Sequence, residues 1–128
     1  PIDIIAVWDG GNALRRALHP EYKAKRVEKA KESAATPEGA EEKLQLEKLY
    51  TIAKQFFAAI GAIQCRVDNV EADDMLAYLA RGLTGGSIVH TGDKDLVQLS
   101  SDTCSVFYRG EPTDSLGDNI PASLIALY

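Results

Sequence analysis

The sequence is short of the features that send a chain into a membrane or out of the cell. No apolar run approaches the roughly 20 residues that span a bilayer, and the start lacks a charged stretch followed by an apolar one. Cysteine is scarce. Cys65 and Cys104 are the only two, they lie outside any metal-ligand spacing, and each sits in an apolar run, which predicts reduced core thiols rather than a disulfide. Basic charge is also in deficit: 14 Lys and Arg against 19 Asp and Glu give a net −5, which by itself disfavours a polyanionic partner. These shortages predict a soluble, cytoplasmic protein with no membrane partner. At 128 residues the chain fits one domain with a real core.

What the chain does have is carboxylate, and in a pattern. Residues 71–95 hold two acidic clusters, Glu71-Ala72-Asp73-Asp74 and Asp93-Lys94-Asp95, separated by one amphipathic helical pattern and one apolar strand pattern. Five carboxylates brought together repel one another and call for a counter-charge. A hard, oxygen-ligated divalent ion, Mg²⁺ or Mn²⁺, fits that need. Each cluster also has a simpler reading: Glu71, Asp73 and Asp74 suit a helix N-terminus, and Asp93 and Asp95 suit the cap of a turn. Their association across one helix and one strand favours the metal site.

The elements around these clusters read as alternating strands and helices. An apolar, β-branched run over residues 2–8, halted by Asp9-Gly10-Gly11, predicts a buried parallel strand with Asp9 at its carboxyl end, where open α/β sheets place ligands. Asp9 before two glycines is also an ordinary turn residue. Residues 12–18 predict a short helical turn broken by His19-Pro20, and residues 22–35 an exposed helix or mobile arm. Thr36-Pro37 opens a long helix stopped by Gly61. Its Leu46, Leu49, Tyr50, Ala53, Phe56, Phe57 and Ile60 recur at spacings of three and four, which predicts the main core helix. Further strands are expected over 62–67, 87–91 and 103–108. A helix is expected over 71–83, with Glu71 and Asp74 on one face and Asp73 round the side, and a short helix near 96–99. Residues 109–119 read as irregular turns and 121–128 as the start of a helix. Three strands would then bring acids to one edge of a sheet.

The deficit of basic charge is uneven. Between residues 15 and 31 lie seven basic residues against Glu21 and Glu28, a local excess of five positive charges in an otherwise acidic chain. That asymmetry suits a phosphate-binding patch facing a cation site, with a solvated helix face as the alternative.

Val7-Trp8-Asp9-Gly10, Pro20-Glu21-Tyr22-Lys23-Ala24-Lys25-Arg26, Glu71-Ala72-Asp73-Asp74 and Thr91-Gly92-Asp93-Lys94-Asp95-Leu96-Val97-Gln98-Leu99 occur in an order that resembles the 5′-nuclease superfamily. That group comprises flap endonucleases, phage 5′-3′ exonucleases and the 5′-nuclease domain of bacterial DNA polymerases. The resemblance implies a three-layer α/β/α PIN-like (Rossmann-like) domain with a mainly parallel sheet and a helical arch. It implies that Asp9, Glu71, Asp73, Asp74, Asp93 and Asp95 hold two Mg²⁺ or Mn²⁺ ions for phosphodiester hydrolysis. Lys23 and Arg26 match basic residues at the base of the arch and are the implied catalytic cations. Arg15, Arg16, Tyr22, Lys23, Lys25 and Arg26 become the candidate contacts to DNA with 5′ ends or flaps, in a bacterial or phage-infected cytoplasm.

The family pattern has a further strand before residues 2–8 and, after 123–128, a Gly-Asp-x-x-Asp segment and a helix-turn-helix clamp on duplex DNA. None of these is matched here, so residues 1–128 are expected to be a trimmed or minimal form of the catalytic domain. Asp118 does not inherit the ligand role of the later motif. Two other functions compete with a DNA 5′ nuclease: a PIN-type ribonuclease, and a non-catalytic nucleic-acid-binding module with structural acids. The Tyr-Lys-Ala-Lys-Arg run and the full Thr-Gly-Asp-Lys-Asp-Leu stretch favour the nuclease on DNA.

Overall fold

A computed structural model describes residues 2–113. The chain divides into two compact units, Pro1–Ala72 and Asp73–Tyr128, each described by itself.

The first unit holds β1 (Ile5–Val7), α1 (Ala13–Leu18), α2 (Ala24–Ala34), α3 (Pro37–Ala59) and β2 (Ile63–Cys65). β1 and β2 pair in parallel, with Ile5 opposite Ile63 and Val7 opposite Cys65. The Trp8 N–H donates to the Cys65 carbonyl at 2.8 Å, so the ladder runs up to the residue before Asp9. Because the strands are parallel, Asp9 and the loop leaving Cys65 emerge at the same, carboxyl end. Two backbone bonds then tie that loop to the residue after Asp9: Gly10 N–H to the Val70 carbonyl at 2.9 Å, and Asn69 N–H to the Gly10 carbonyl at 2.8 Å. The approach is so close that a Cβ on Gly10 would lie 1.7 Å from the Val67 carbonyl oxygen. Only glycine fits there.

α3 starts as its sequence predicts. Thr36 Oγ1 accepts from the Gly39 N–H at 3.1 Å, and Pro37 occupies the first turn, where its missing N–H has no helical partner to lose. The helix does not, however, form the main core. None of its residues is buried; Leu49 is 61% and Phe56 57% exposed. Leu44 and Ile52 are apolar as well, and together the apolar residues spread round more of the helix than one neighbour can cover. Phe57 is half-buried, its ring 5.9 Å from Trp8 in an edge-on contact. α2 has no buried residue either, as expected for the exposed alternative at 22–35.

The second unit holds all of α4 (Ala72–Gly82) but its first residue, then β3 (Ser87–Thr91), a 3-10 helix (Lys94–Leu99), β4 (Cys104–Tyr108) and β5 (Glu111–Pro112). β3 and β4 are parallel, with Val89 opposite Val106. Alternation along β4 buries Cys104 and Val106 and exposes Ser105, as a strand with one covered face requires. Ala80, Val89, Cys104 and Val106 form the core, with Leu76 and Leu99 packed against it. The short β5 replaces part of the irregular stretch expected over 109–119. It pairs antiparallel to β4 through Arg109 and Gly110, whose φ values are 53° and 88°. Both central residues with positive φ make a two-residue hairpin, for which Asn-Gly is the usual sequence signal and Arg-Gly is not.

The fold is therefore α/β with mostly parallel pairing, as the sequence implied. Both cysteines are free thiols, Cys104 buried and Cys65 partly so. Among the described residues no helix is long and apolar enough to cross a membrane. The helix expected over 121–128 lies outside the described residues.

Candidate metal centre

Asp9 leaves β1 in an exposed turn, its Oδ1 accepting from the Gly11 N–H at 2.7 Å. Arg66 Nε donates to the Asp9 carbonyl at 3.2 Å and its guanidinium pairs with Asp68. The loop fastened to Gly10 delivers Glu71 beside Asp9, and the two offer carboxylate oxygens within 4.8 Å of each other. Asp73 belongs to the second unit, in the first turn of α4. Glu71 precedes α4 rather than lying inside it, so the helical spacing that paired it with Asp74 does not apply.

Glu71 is the centre of the first unit's electrostatics. It is 4% exposed, and both oxygens are engaged. Tyr22 donates its hydroxyl to Oε2 at 2.9 Å, Arg15 pairs with the same oxygen at 3.1 Å, and Lys23 Nζ binds Oε1 at 2.5 Å. Burial pushes the carboxyl pKa up, but the Lys23 and Tyr22 hydrogen bonds and the charges of Lys23 and Arg15 outweigh it, and the net shift is downward. Lys23 moves the opposite way: its bond to Glu71 raises it against the smaller cost of burial. The pair is an ammonium and a carboxylate at neutral pH.

Lys23 reaches this position through an unusual backbone. It is the N-cap of α2 with φ 53° and ψ 20°, a left-handed conformation that costs a non-glycine residue about 1 kcal/mol or more. Side chains adjacent in sequence ordinarily diverge; here Tyr22 and Lys23 reach one carboxylate. Both Arg15 and Lys23 also stand over the Tyr22 ring, at 5.1 and 5.0 Å from its centroid, a favourable place for a cation.

The other sequence candidates are placed as follows. Arg16, Lys25 and Arg26 are exposed on α1 and α2. Asp74 lies in the first turn of α4. Asp93 and Asp95 are exposed in the second unit, where Asp93 Oδ1 accepts from the Asp95 N–H at 3.0 Å and caps the 3-10 helix. The engagement of Arg15 and Tyr22 with Glu71 was not readable from sequence: they stand 56 and 49 residues away along the chain. The one available signal was chemical, since a buried glutamate requires cations and the excess of cations lies at 15–31.

Parallel strands presenting acids from their carboxyl ends, with a glycine-tight junction behind the first acid, define an α/β domain of the PIN-like class. The description "5'-3' exonuclease, N-terminal resolvase-like domain" matches residues 1–121, and the chain belongs to that family. DNA polymerase I of Mycobacterium tuberculosis (strain H37Rv) is 29% identical over 132 aligned residues, which take in 100% of this chain and 13% of the relative. A 5'-3' exonuclease of Bacillus subtilis (strain 168) is 31% identical over 109 residues, covering 83% of this chain and 32% of the relative. Among solved structures, T5 5'-exonuclease with bound divalent metal ions (zinc) superimposes with a TM-score of 0.64 at 30% identity, over 84% of this chain and 40% of its own. The chain thus spans well under half the length of the relatives it matches.

The donors fit a divalent cation. They are all carboxylate oxygens, the hard ligands that Mg²⁺ and Mn²⁺ prefer. Glu71 is held ionised, and the Gly10 approach fixes its distance from Asp9.

Proposed function

We propose that this chain carries the acidic centre of a divalent-metal-dependent 5′ nuclease that hydrolyses phosphodiester bonds in DNA with 5′ ends or flaps. The observation that carries the reading is the approach of the Asp9 and Glu71 carboxylates, with Glu71 buried yet ionised. Lys23 and Arg15 already offset the charge of Glu71, so the reading is supported by the meeting of Asp9 and Glu71 oxygens within 4.8 Å at the matched acidic motifs, a donor set that suits a hard divalent ion. In this reading Asp9, Glu71 and Asp73 are ligands, and Asp74, Asp93 and Asp95 join them through the motif they match. Bound Mg²⁺ or Mn²⁺ would supply Lewis-acid stabilisation of the phosphate and an activated water.

The remaining work falls to the chain's own side chains. Arg16, Lys25 and Arg26, exposed on α1 and α2, offer positive charge to backbone phosphates without reading bases, so binding should weaken steeply with salt. Arg26 and Lys23 place charge where the phosphate gains it in the transition state. The polymerase and exonuclease names of the relatives support DNA as the substrate.

The test pairs a binding and a cleavage measurement. Mn²⁺ should bind saturably, and a 5′-flap DNA should be cut faster than single-stranded RNA of matched length. No saturable Mn²⁺ binding would leave the acids structural. Faster cutting of the RNA would assign the site to a ribonuclease.

A further inference from the structure

Glu71 uses its two oxygens differently. Oε2 is enclosed by a triangle of donors: Tyr22 Oη at 2.9 Å, Arg15 NH1 at 3.1 Å, and Arg15 NH1 donating in turn to Tyr22 Oη at 3.0 Å. The Tyr22 hydroxyl has one proton, and it goes to Glu71; its lone pair takes the Arg15 N–H. That side of the carboxylate is saturated. Oε1 is bonded to Lys23 Nζ at 2.5 Å, on a side chain that keeps 30% of its exposure and ends in a long flexible stem. A cation can leave that side far more easily than the triangle can open.

We propose that Tyr22, braced by Arg15, is a positioning residue that holds Oε2 of Glu71, whereas Lys23 is a resident cation that yields Oε1 to an incoming divalent ion. The inference rests on the metal reading above and adds to it which oxygen is exchanged and what is displaced. It reassigns Tyr22 and Arg15 from DNA contacts to support of a ligand. It also gives the left-handed backbone at Lys23 a purpose: that turn sets the fixed donor and the exchangeable one on opposite oxygens of the same group. When the ion takes Oε1, the Lys23 ammonium is released at the moment the phosphate-bearing substrate needs a counter-charge.

The consequence is a pair of substitutions with opposite signs. Removing a hydrogen bond that orients a metal ligand costs about 10–100-fold in metal affinity, so Tyr22→Phe should weaken Mn²⁺ binding by roughly tenfold. Removing a competing cation does the reverse, and Lys23→Met, which keeps the apolar stem, should tighten Mn²⁺ binding several-fold. A merely structural role predicts loss in both. The readout is a Mn²⁺ titration followed by Trp8 fluorescence, since Trp8 is the chain's one tryptophan and adjoins Asp9. DNA binding in EDTA supplies the second measurement: Tyr22→Phe should leave its affinity and salt slope unchanged. Mn²⁺ affinity that is unchanged in Tyr22→Phe, or weakened in Lys23→Met, overturns this inference while leaving the metal site intact. Absence of saturable Mn²⁺ binding by the wild-type chain overturns both together. If Lys23→Met fails to fold, Lys23→Gln takes its place with the same expected sign.

Discussion

Substituting Gly10 by alanine tests the geometry behind Asp9 more directly than substituting Asp9 itself. The new Cβ would sit 1.7 Å from the Val67 carbonyl oxygen, 2.7 Å from its carbon and 2.8 Å from the Val70 oxygen, and ordinary contact begins near 3.4 Å. All three obstacles are backbone, so no side chain can swing aside, and the two segments must part by roughly 1.7 Å. The hydrogen bonds Gly10 N–H to Val70 and Asn69 N–H to Gly10 cannot survive that separation. Their loss costs about 1 kcal/mol each, and the forced displacement adds about 1–3 kcal/mol. The sum, about 3–5 kcal/mol, is a large share of the roughly 5–15 kcal/mol that stabilises a typical protein. For a chain of this size about 4 °C of melting temperature accompanies each kcal/mol, so Gly10→Ala should melt some 12–20 °C below the wild type. Misplacing a carboxylate by more than 1 Å should also lower cleavage by on the order of 100-fold. Gly82→Ala is the control: nothing lies within 4 Å of its Cβ, and melting should shift by only about 2 °C or less. Circular dichroism melts read the first effect and a 5′-flap cleavage assay the second. Equal melting of the two variants would refute the claim that this close approach sets the site.

Three further outcomes are expected. Val106, 1% exposed in the second unit's core, should cost about 2–3 kcal/mol when cut to alanine, read by urea unfolding. Thr36→Ala removes the cap to the Gly39 N–H and should cost about 1 kcal/mol, whereas Thr36→Ser should restore it. Glu71 has a folded pKa below its ordinary 4.5, so the stability it confers is complete above that value and is lost as pH falls through the folded one. The gap in unfolding free energy between wild type and Glu71→Gln should therefore be constant above about pH 5 and shrink below it; a gap that widens in acid would reverse the sign argued here.

Local chemistry made much of this legible in the sequence. Of the run expected as a buried strand over residues 2–8, only Ile5–Val7 forms the parallel strand and only Ala6 is buried, with Ile2 and Ile4 exposed, whereas Thr36-Pro37 gave a capped helix start and Thr91-Gly92-Asp93 a strand ending at an acid. What sequence left out depended on partners distant along the chain. The apolar residues of α3 looked like a core face because periodicity says where side chains share a side, not whether anything covers them. The hairpin to β5 was missed because Arg109-Gly110 lacks the usual turn residues. The helix expected from Glu71 starts one residue later, at Ala72, a boundary that propensity does not resolve. The donors on Glu71 come from about 50 residues upstream, and no local pattern reports such a contact.

That long reach ties the inheritance of distant positions together. A lineage in which Glu71 became glutamine would leave the Lys23 ammonium and the Arg15 guanidinium facing a neutral group, and the left-handed turn at Lys23 would hold it there with nothing to bind. Loss of the acid should then be followed by loss of the basic residues and relaxation of the turn, with glycine or asparagine admitted at position 23. The converse order is barred more strongly, because a buried carboxylate without its donors is costlier than donors that can turn back to water. Positions 15, 22, 23 and 71 are therefore expected to change together rather than singly.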